Sequence, residues 1–168
     1  NLKATYYGFK DDRQAADIDN LWRLYESAIN LAEKDDATNR EIFTKWYDTV
    51  HDQLGIRWNI TMGLYWIRPY EFINLDSRNR WFIVDPDNMP VDFVNSVKKK
   101  LNKVPYAAEY LAIKDACLHA LKDGNYEYKN YPELSYRAWI VSKQVNQEKA
   151  EVKGKKSSKA AFLRWFAP

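Results

Sequence analysis

Asp17–Lys34 reads DIDNLWRLYESAINLAEK. Ile18, Leu21, Trp22, Tyr25, Ala28, Ile29 and Ala32 recur at three- and four-residue steps, the period of a helix with one apolar face. Asp17 is placed to cap this helix. Asp19 stands in the first turn, where the helix dipole favours an acid. The helical period set here governs the reading of the rest of the chain.

Downstream, TNRE starts the next helix, with Thr38 and Glu41 spaced as a capping box. Phe43, Trp46, Tyr47, Val50 and Leu54 give it a buried face, and Gly55 ends it. NITMGLYWI reads as a third helix that stops before Pro69, because a residue ahead of proline avoids helical torsions. A fourth begins near Asp76. PDNMP is a turn, from which Pro90 opens VDFVNSVKKKL. Pro105 opens a helix with Tyr106, Tyr110, Ile113, Cys117 and Leu121 on one stripe, ended by Gly124. Pro132 opens a last helix with Leu134, Ala138, Trp139 and Val145 inward. Strand signals are weak: ATYYGF near the start is read as a short strand or lead-in.

Composition changes after Ala150. EVKGKKSSK is charged, small and aperiodic, so residues 151–160 are read as a basic linker. AFLRWFAP, within 161–168, then reads as the start of a following module, a strand by expectation. Residues 1–150 form the main domain. The expected fold is mainly α, an irregular bundle of about six or seven helices with at most short β elements at the ends. The chain begins without Met and stops inside an apolar run, so it is read as a piece of a longer protein.

The chain has 168 residues, 46% of them hydrophobic and 15% aromatic, enough for a substantial core. A net charge of +3 neither demands nor excludes a polyanionic partner. The single cysteine, Cys117, excludes an internal disulfide and fits a reducing, cytoplasmic setting. No apolar run reaches the length of a membrane span, and no signal peptide opens the sequence.

Signals of enzyme chemistry are sparse. His51 and His119 have no His or Cys at ligand spacing, so no metal site is expected. No thiol nucleophile is read at Cys117, and there is no GxSxG elbow. GKKSSK lacks the upstream glycine of a phosphate loop, so no nucleotide-hydrolysing site is expected in these residues. The acid pairs Asp11–Asp12, Asp35–Asp36 and Asp85/Asp87 read as caps and turns. Lys98, Lys99 and Lys100 close a helix, where cations complement the dipole; they also suit phosphates.

GLYWIRPYEFINLDSRNRWFI, Gly63–Ile83, places Arg68, Asp76, Arg78 and Arg80 among Tyr65, Trp66, Phe72, Trp81 and Phe82. Asp76 is positioned to cap the second half through the amides of Arg78 and Asn79. Arg78 and Arg80 are two apart and point to different sides of a helix. Two readings stand. In one, an Asp–Arg pair locks the Pro69 turn to the next helix. In the other, Arg78 or Arg80 meets phosphate while Trp66, Tyr70 or Trp81 stacks on a base. An enzyme acting on nucleic acid would have to rest on Asp76.

NLKATYYGFKDDR, DIDNLWRLYESA, WNITMGLYWIRPYEFINLDSRNRWFI and ELSYRAWIVSKQVNQEKA resemble, in that order, a region of bacterial McrB-like proteins. These are the AAA+ GTPase subunits of modification-dependent (5-methylcytosine-type) restriction systems, a form of phage defence. The resemblance spans most of residues 1–150 and is strongest from Trp58 to Ile83. It implies a domain upstream of the GTPase motor, often followed by a small module that reads modified bases. GTP and Mg are implied for the parent's motor, and no cofactor for these residues. The implied partners are DNA, methylated or not, and the system's separate nuclease subunit, with the parent a homo-oligomer. No catalytic residue carries over, because the motor motifs are absent from this sequence.

Two functions are therefore expected to compete. The first is a non-catalytic, DNA-associated domain that binds DNA or positions a neighbouring reader. Arg68, Arg78, Arg80, Lys98, Lys99 and Lys100 would then meet phosphates, and Trp66 and Trp81 would stack. The second is a structural or protein-interaction domain that spaces reader from motor or docks a nuclease or other defence subunit.

Overall fold

In a computed structural model, residues 5–124 and 126–166 are described, with side chains to Val152. The chain is a mainly α bundle: α1 Asp17–Glu33, α2 Ala37–His51, α3 Asn59–Ile67, α4 Ser77–Ile83, α5 Val91–Val97, α6 Ala107–Asp123 and α7 Tyr131–Phe166, with one 3-10 turn at Lys100–Asn102. No strand occurs among the described residues, so Thr5–Phe9 is a lead-in of bends and not a strand. No helix among them is long and apolar enough to cross a membrane.

The helices pack α1 on α2, α2 on α6, α1 on α3, α5 on α6 and α4 on α7. The short link Lys34–Asp36 turns α2 back along α1. The seam of α1 is Leu21, Leu24, Ala28 and Leu31, one helical step round from the stripe read in the sequence. Trp22 falls off that seam and is 70% exposed. Asp17 does not cap α1, because its carboxylate accepts from the Gln14 N–H at 2.9 Å and Ala16 holds the N-cap position. At α2 the cap is Asp36, accepting from the Asn39 N–H at 2.9 Å, and not Thr38. A carboxylate is the stronger acceptor for a free helix amide.

Phe43, Tyr47 and Val50 of α2 are buried, while Leu54 lies beyond the end of the helix and is 58% exposed. The core centres on an aromatic stack. Phe43 packs on Phe72 at 5.6 Å between ring centroids and 14° between planes, and Tyr47 packs on Tyr110 at 5.3 Å and 21°. The Tyr110 hydroxyl donates to the Ile73 carbonyl at 3.0 Å, tying α6 to the segment after Pro69. Cys117 is buried in α6, and burial pushes its thiol up to about 12, which marks it as a packing residue.

Two glycines set close approaches. Gly55 has φ +93, a torsion that side chains disfavour, and its backbone lies against Tyr7. Gly63, inside α3, leaves the space taken by Tyr25 and Tyr6.

The start of α6 is capped by another helix: the Ala107 N–H donates to Asp48 of α2 at 2.7 Å. Beside it, the His51 ring stacks on Tyr106 at 3.9 Å, and His51 Nδ1 lies 2.7 Å from Asp52. A second link joins α2 to α6 through charge. The Arg40 guanidinium reaches Asp35 at 2.8 Å and Asp115 at 2.9 Å, and the buried Lys114 lies 3.0 Å from Asp115.

These contacts set the acid response. The hydrogen bond from Arg40 holds the Asp35 carboxyl below its usual range, the Asn39 N–H does so for Asp36, and His51 does so for Asp52. A carboxyl whose folded value is depressed stabilises the fold fully above its unfolded value of about 4. That stability is lost as pH falls through the folded value. The melting midpoint should therefore be flat from about pH 7 to pH 5 and fall below about pH 4. Asp35→Asn should melt lower at neutral pH and decline less steeply in acid. An equally steep decline in the variant would place the acid sensitivity elsewhere.

The backbone of α7 is helical through Phe166, where the sequence was read as a linker from 151 and a strand from 161. Lysine, alanine and glutamate in that stretch are good helix formers, and its one glycine does not break a long helix. Residues 167–168 of the expected module lie outside the described residues.

Candidate nucleic-acid interface

The junction between α3, α4 and α7 is built on NLDSRN, Asn74–Asn79. Asp76 caps α4, as the sequence indicated: its carboxylate accepts from the Asn79 N–H at 2.8 Å and from the Asn74 amide at 3.3 Å. The Leu75 N–H donates to the buried Thr61 hydroxyl of α3 at 3.0 Å. Asn79, 2% exposed, donates to the Asn74 carbonyl and to Ser135 of α7, each at 2.9 Å. These bonds fix which way each residue of α4 faces.

Arg80 faces inward. Its guanidinium lies 3.5 Å over the Trp58 ring and donates to the Leu75 carbonyl at 3.2 Å. Burial lowers its pKa, with Asp76 opposing that shift. The expected Asp–Arg pair is thus not the lock: neither Arg78 nor Arg80 is ion-paired to Asp76 among the described residues. The carboxylate is already taken by amide donors, and Arg80 is held by an aromatic face. Asp76 therefore stands as the cap of α4.

Arg78 faces outward. With Ser77 and Trp81 it forms one wall of a groove of about 260 Å³. Ser142, Val145, Asn146 and Lys149 of α7 form the other wall. Their spacing of three and four places them on one face of α7. Arg78 and Lys149 are the charged lining residues, so the groove carries one cation on each wall and no acid. Trp81 is 38% exposed. Along α7, Trp139 stacks on Tyr136 at 5.9 Å and 24°, and Lys143 lies 4.3 Å over Trp139. Trp139 is partly exposed, where the sequence reading had it inward.

The other expected contacts do not line this groove. Trp66 is exposed and meets Tyr6 edge-on at 6.1 Å. Arg68 follows α3 and donates to the Ile67 carbonyl at 2.9 Å. Lys98 and Lys99 are exposed after α5, and Lys100 opens the 3-10 turn. Lys149, Asn146 and Ser142 escaped the sequence reading. Their signal was the polar repeat on the outer face of α7, next to a Trp139–Lys143 step.

Residues 1–141 match the model of a family described as a domain of unknown function, DUF8425. The chain belongs to the DUF8425 family. No curated protein and no solved structure matches it. The stretch matched to DUF8425 holds α1 to α6 and the start of α7, including Arg78, Trp81 and Trp139. The α7 wall of the groove, Ser142 to Lys149, follows the matched DUF8425 residues. Among the described residues of this DUF8425 chain, no cluster of three or more His, Cys, Asp or Glu is arranged to hold a metal.

Proposed function

We propose that this chain is a non-catalytic, nucleic-acid-associated domain of a protein like the McrB-type restriction GTPases. It binds DNA through the groove between α4 and α7, or positions a neighbouring reader of modified bases against DNA. The observation that carries this reading is the convergence of Arg78, Trp81 and Lys149 on one groove whose lining holds no acid, although they come from separate helices. Arginine and lysine supply phosphate affinity, and an exposed tryptophan supplies a stacking face. The segment Trp58–Ile83, which carries the strongest resemblance, builds α3 and α4 and so one side of that groove. GTP, Mg and the nuclease subunit belong to the parent's motor in this reading.

The test is binding of the chain to labelled duplexes, methylated and unmodified, over a range of salt. Affinity should fall with salt at a slope of roughly −2, the release expected for about two phosphate contacts. Arg78→Glu and Lys149→Glu should each weaken binding. Equal affinity for both duplexes would make the groove a backbone contact and leave base reading to the neighbour. No affinity at low salt for duplex or single strand would reject direct DNA binding. It would favour the second reading, a protein-docking domain, for which the exposed Tyr7, Phe9 and Leu54 around one recess are the supporting observation.

A further inference from the structure

We infer that the α4–α7 groove takes an unpaired strand in preference to a duplex. The inference rests on the nucleic-acid reading above and names the class of ligand for the same groove. The groove and the helix face beside it present three aromatic rings, Trp81, Trp139 and Tyr136. Trp81 opens into the groove, and Trp139 with Tyr136 forms a partly exposed stack on the adjoining face of α7. Two cations line the groove itself, Arg78 and Lys149, and Lys143 is already seated on Trp139.

A duplex hides the faces of its bases and offers a surface to bind by phosphate contact, so it makes little use of exposed indoles. A single strand offers a face at every base, and aromatic stacking is tolerant of which base it is. Ser142 and Asn146 add neutral hydrogen-bonding groups beside the indole, suited to base edges that pairing would otherwise occupy. The position of Arg80 reinforces the point. With that cation withdrawn onto Trp58, α4 presents to the groove one arginine and one tryptophan a helical turn apart.

The experiment uses the whole 168-residue chain. Fluorescence anisotropy is measured for an oligo-dT, an oligo-rU of the same length, the dT strand paired to its complement, and a dT strand carrying abasic sites. The single strands should bind roughly tenfold more tightly than the duplex, and abasic sites should cost roughly tenfold. Trp81→Leu should reduce single-strand binding by a larger factor than duplex binding. The dT and rU arms show whether DNA or RNA is the better source of that strand. The abasic comparison needs no variant, so it stands even if Trp81→Leu fails to fold. Duplex binding as tight as the single strand, or an abasic strand bound as tightly as dT, overturns the inference while the nucleic-acid reading survives. Absence of binding to every probe overturns both.

Discussion

Phe43→Ala should destabilise the fold by about 3–5 kcal/mol. The side chain is fully buried and joins three rings, with Phe72 stacked at 5.6 Å, Tyr47 at 5.5 Å and Tyr110 at 6.5 Å. Those neighbours come from α2, α6 and the segment after Pro69, so the void would open where three parts of the chain meet. Relaxation into it is limited, because Tyr110 is fixed by its hydroxyl to the Ile73 carbonyl. Phe43→Leu keeps most of the volume and should cost less than about 1.5 kcal/mol. Urea denaturation measures both. A loss under about 1 kcal/mol for the alanine variant would mean that the ring cluster is not the centre of the core.

Asn79→Ala should cost about 2–3 kcal/mol, and it should also weaken ligand binding at a site the residue does not line. Its amide is the link between the Asn74 carbonyl and Ser135, that is, between the entry to α4 and α7. Removing it leaves the buried carbonyl unsatisfied and frees the two walls of the groove to shift. Ser135→Ala removes one of the two bonds and should cost about 1 kcal/mol. If Asn79→Ala lowered stability with affinity unchanged, the groove would not depend on this junction. If neither changed, the bonds would carry no weight in the fold.

Much of this fold could be read along the chain. NITMGLYWI is α3, Asn59–Ile67, because Pro69 sets its end. Asp76 caps α4 and Pro90 leads into α5, since caps and prolines act through their immediate neighbours. Features decided at a distance were not legible. Trp22 shares the helical period of the buried residues, yet the partner helix selects the Leu24 side, so the indole lies in solvent. Tyr25, also on the expected stripe, is only half-buried. Asp36 displaced Thr38 as a cap because the last turn before α2 brings its carboxylate to the Asn39 amide. The stretch after Ala150 has the charge of a linker and also the propensities of a helix, and composition alone does not choose between them.

The groove was legible by half. Arg78 and Trp81 lie one turn apart in α4, so their common face follows from spacing. That one arginine of the Arg78/Arg80 pair turns inward also follows from spacing. Which one does so depends on Trp58, reached only when α3 and α4 fold together. Lys149 lies in a different helix, and the α4–α7 packing that brings it to Arg78 has no local signature.

The cap that α2 lends to α6 has a consequence for how the molecule comes apart. Tyr106 offers no side-chain cap of its own, so the first turn of α6 depends on Asp48, 59 residues earlier. Fraying of that turn is therefore not a private event of α6, because releasing the Ala107 amide means parting it from α2. The Arg40–Asp115 bridge ties the middle of the same helix to the start of α2. Two helices far apart in sequence thus open as one cooperative unit, and a protease or an exchanging proton meets a single barrier where the element boundaries alone would suggest two.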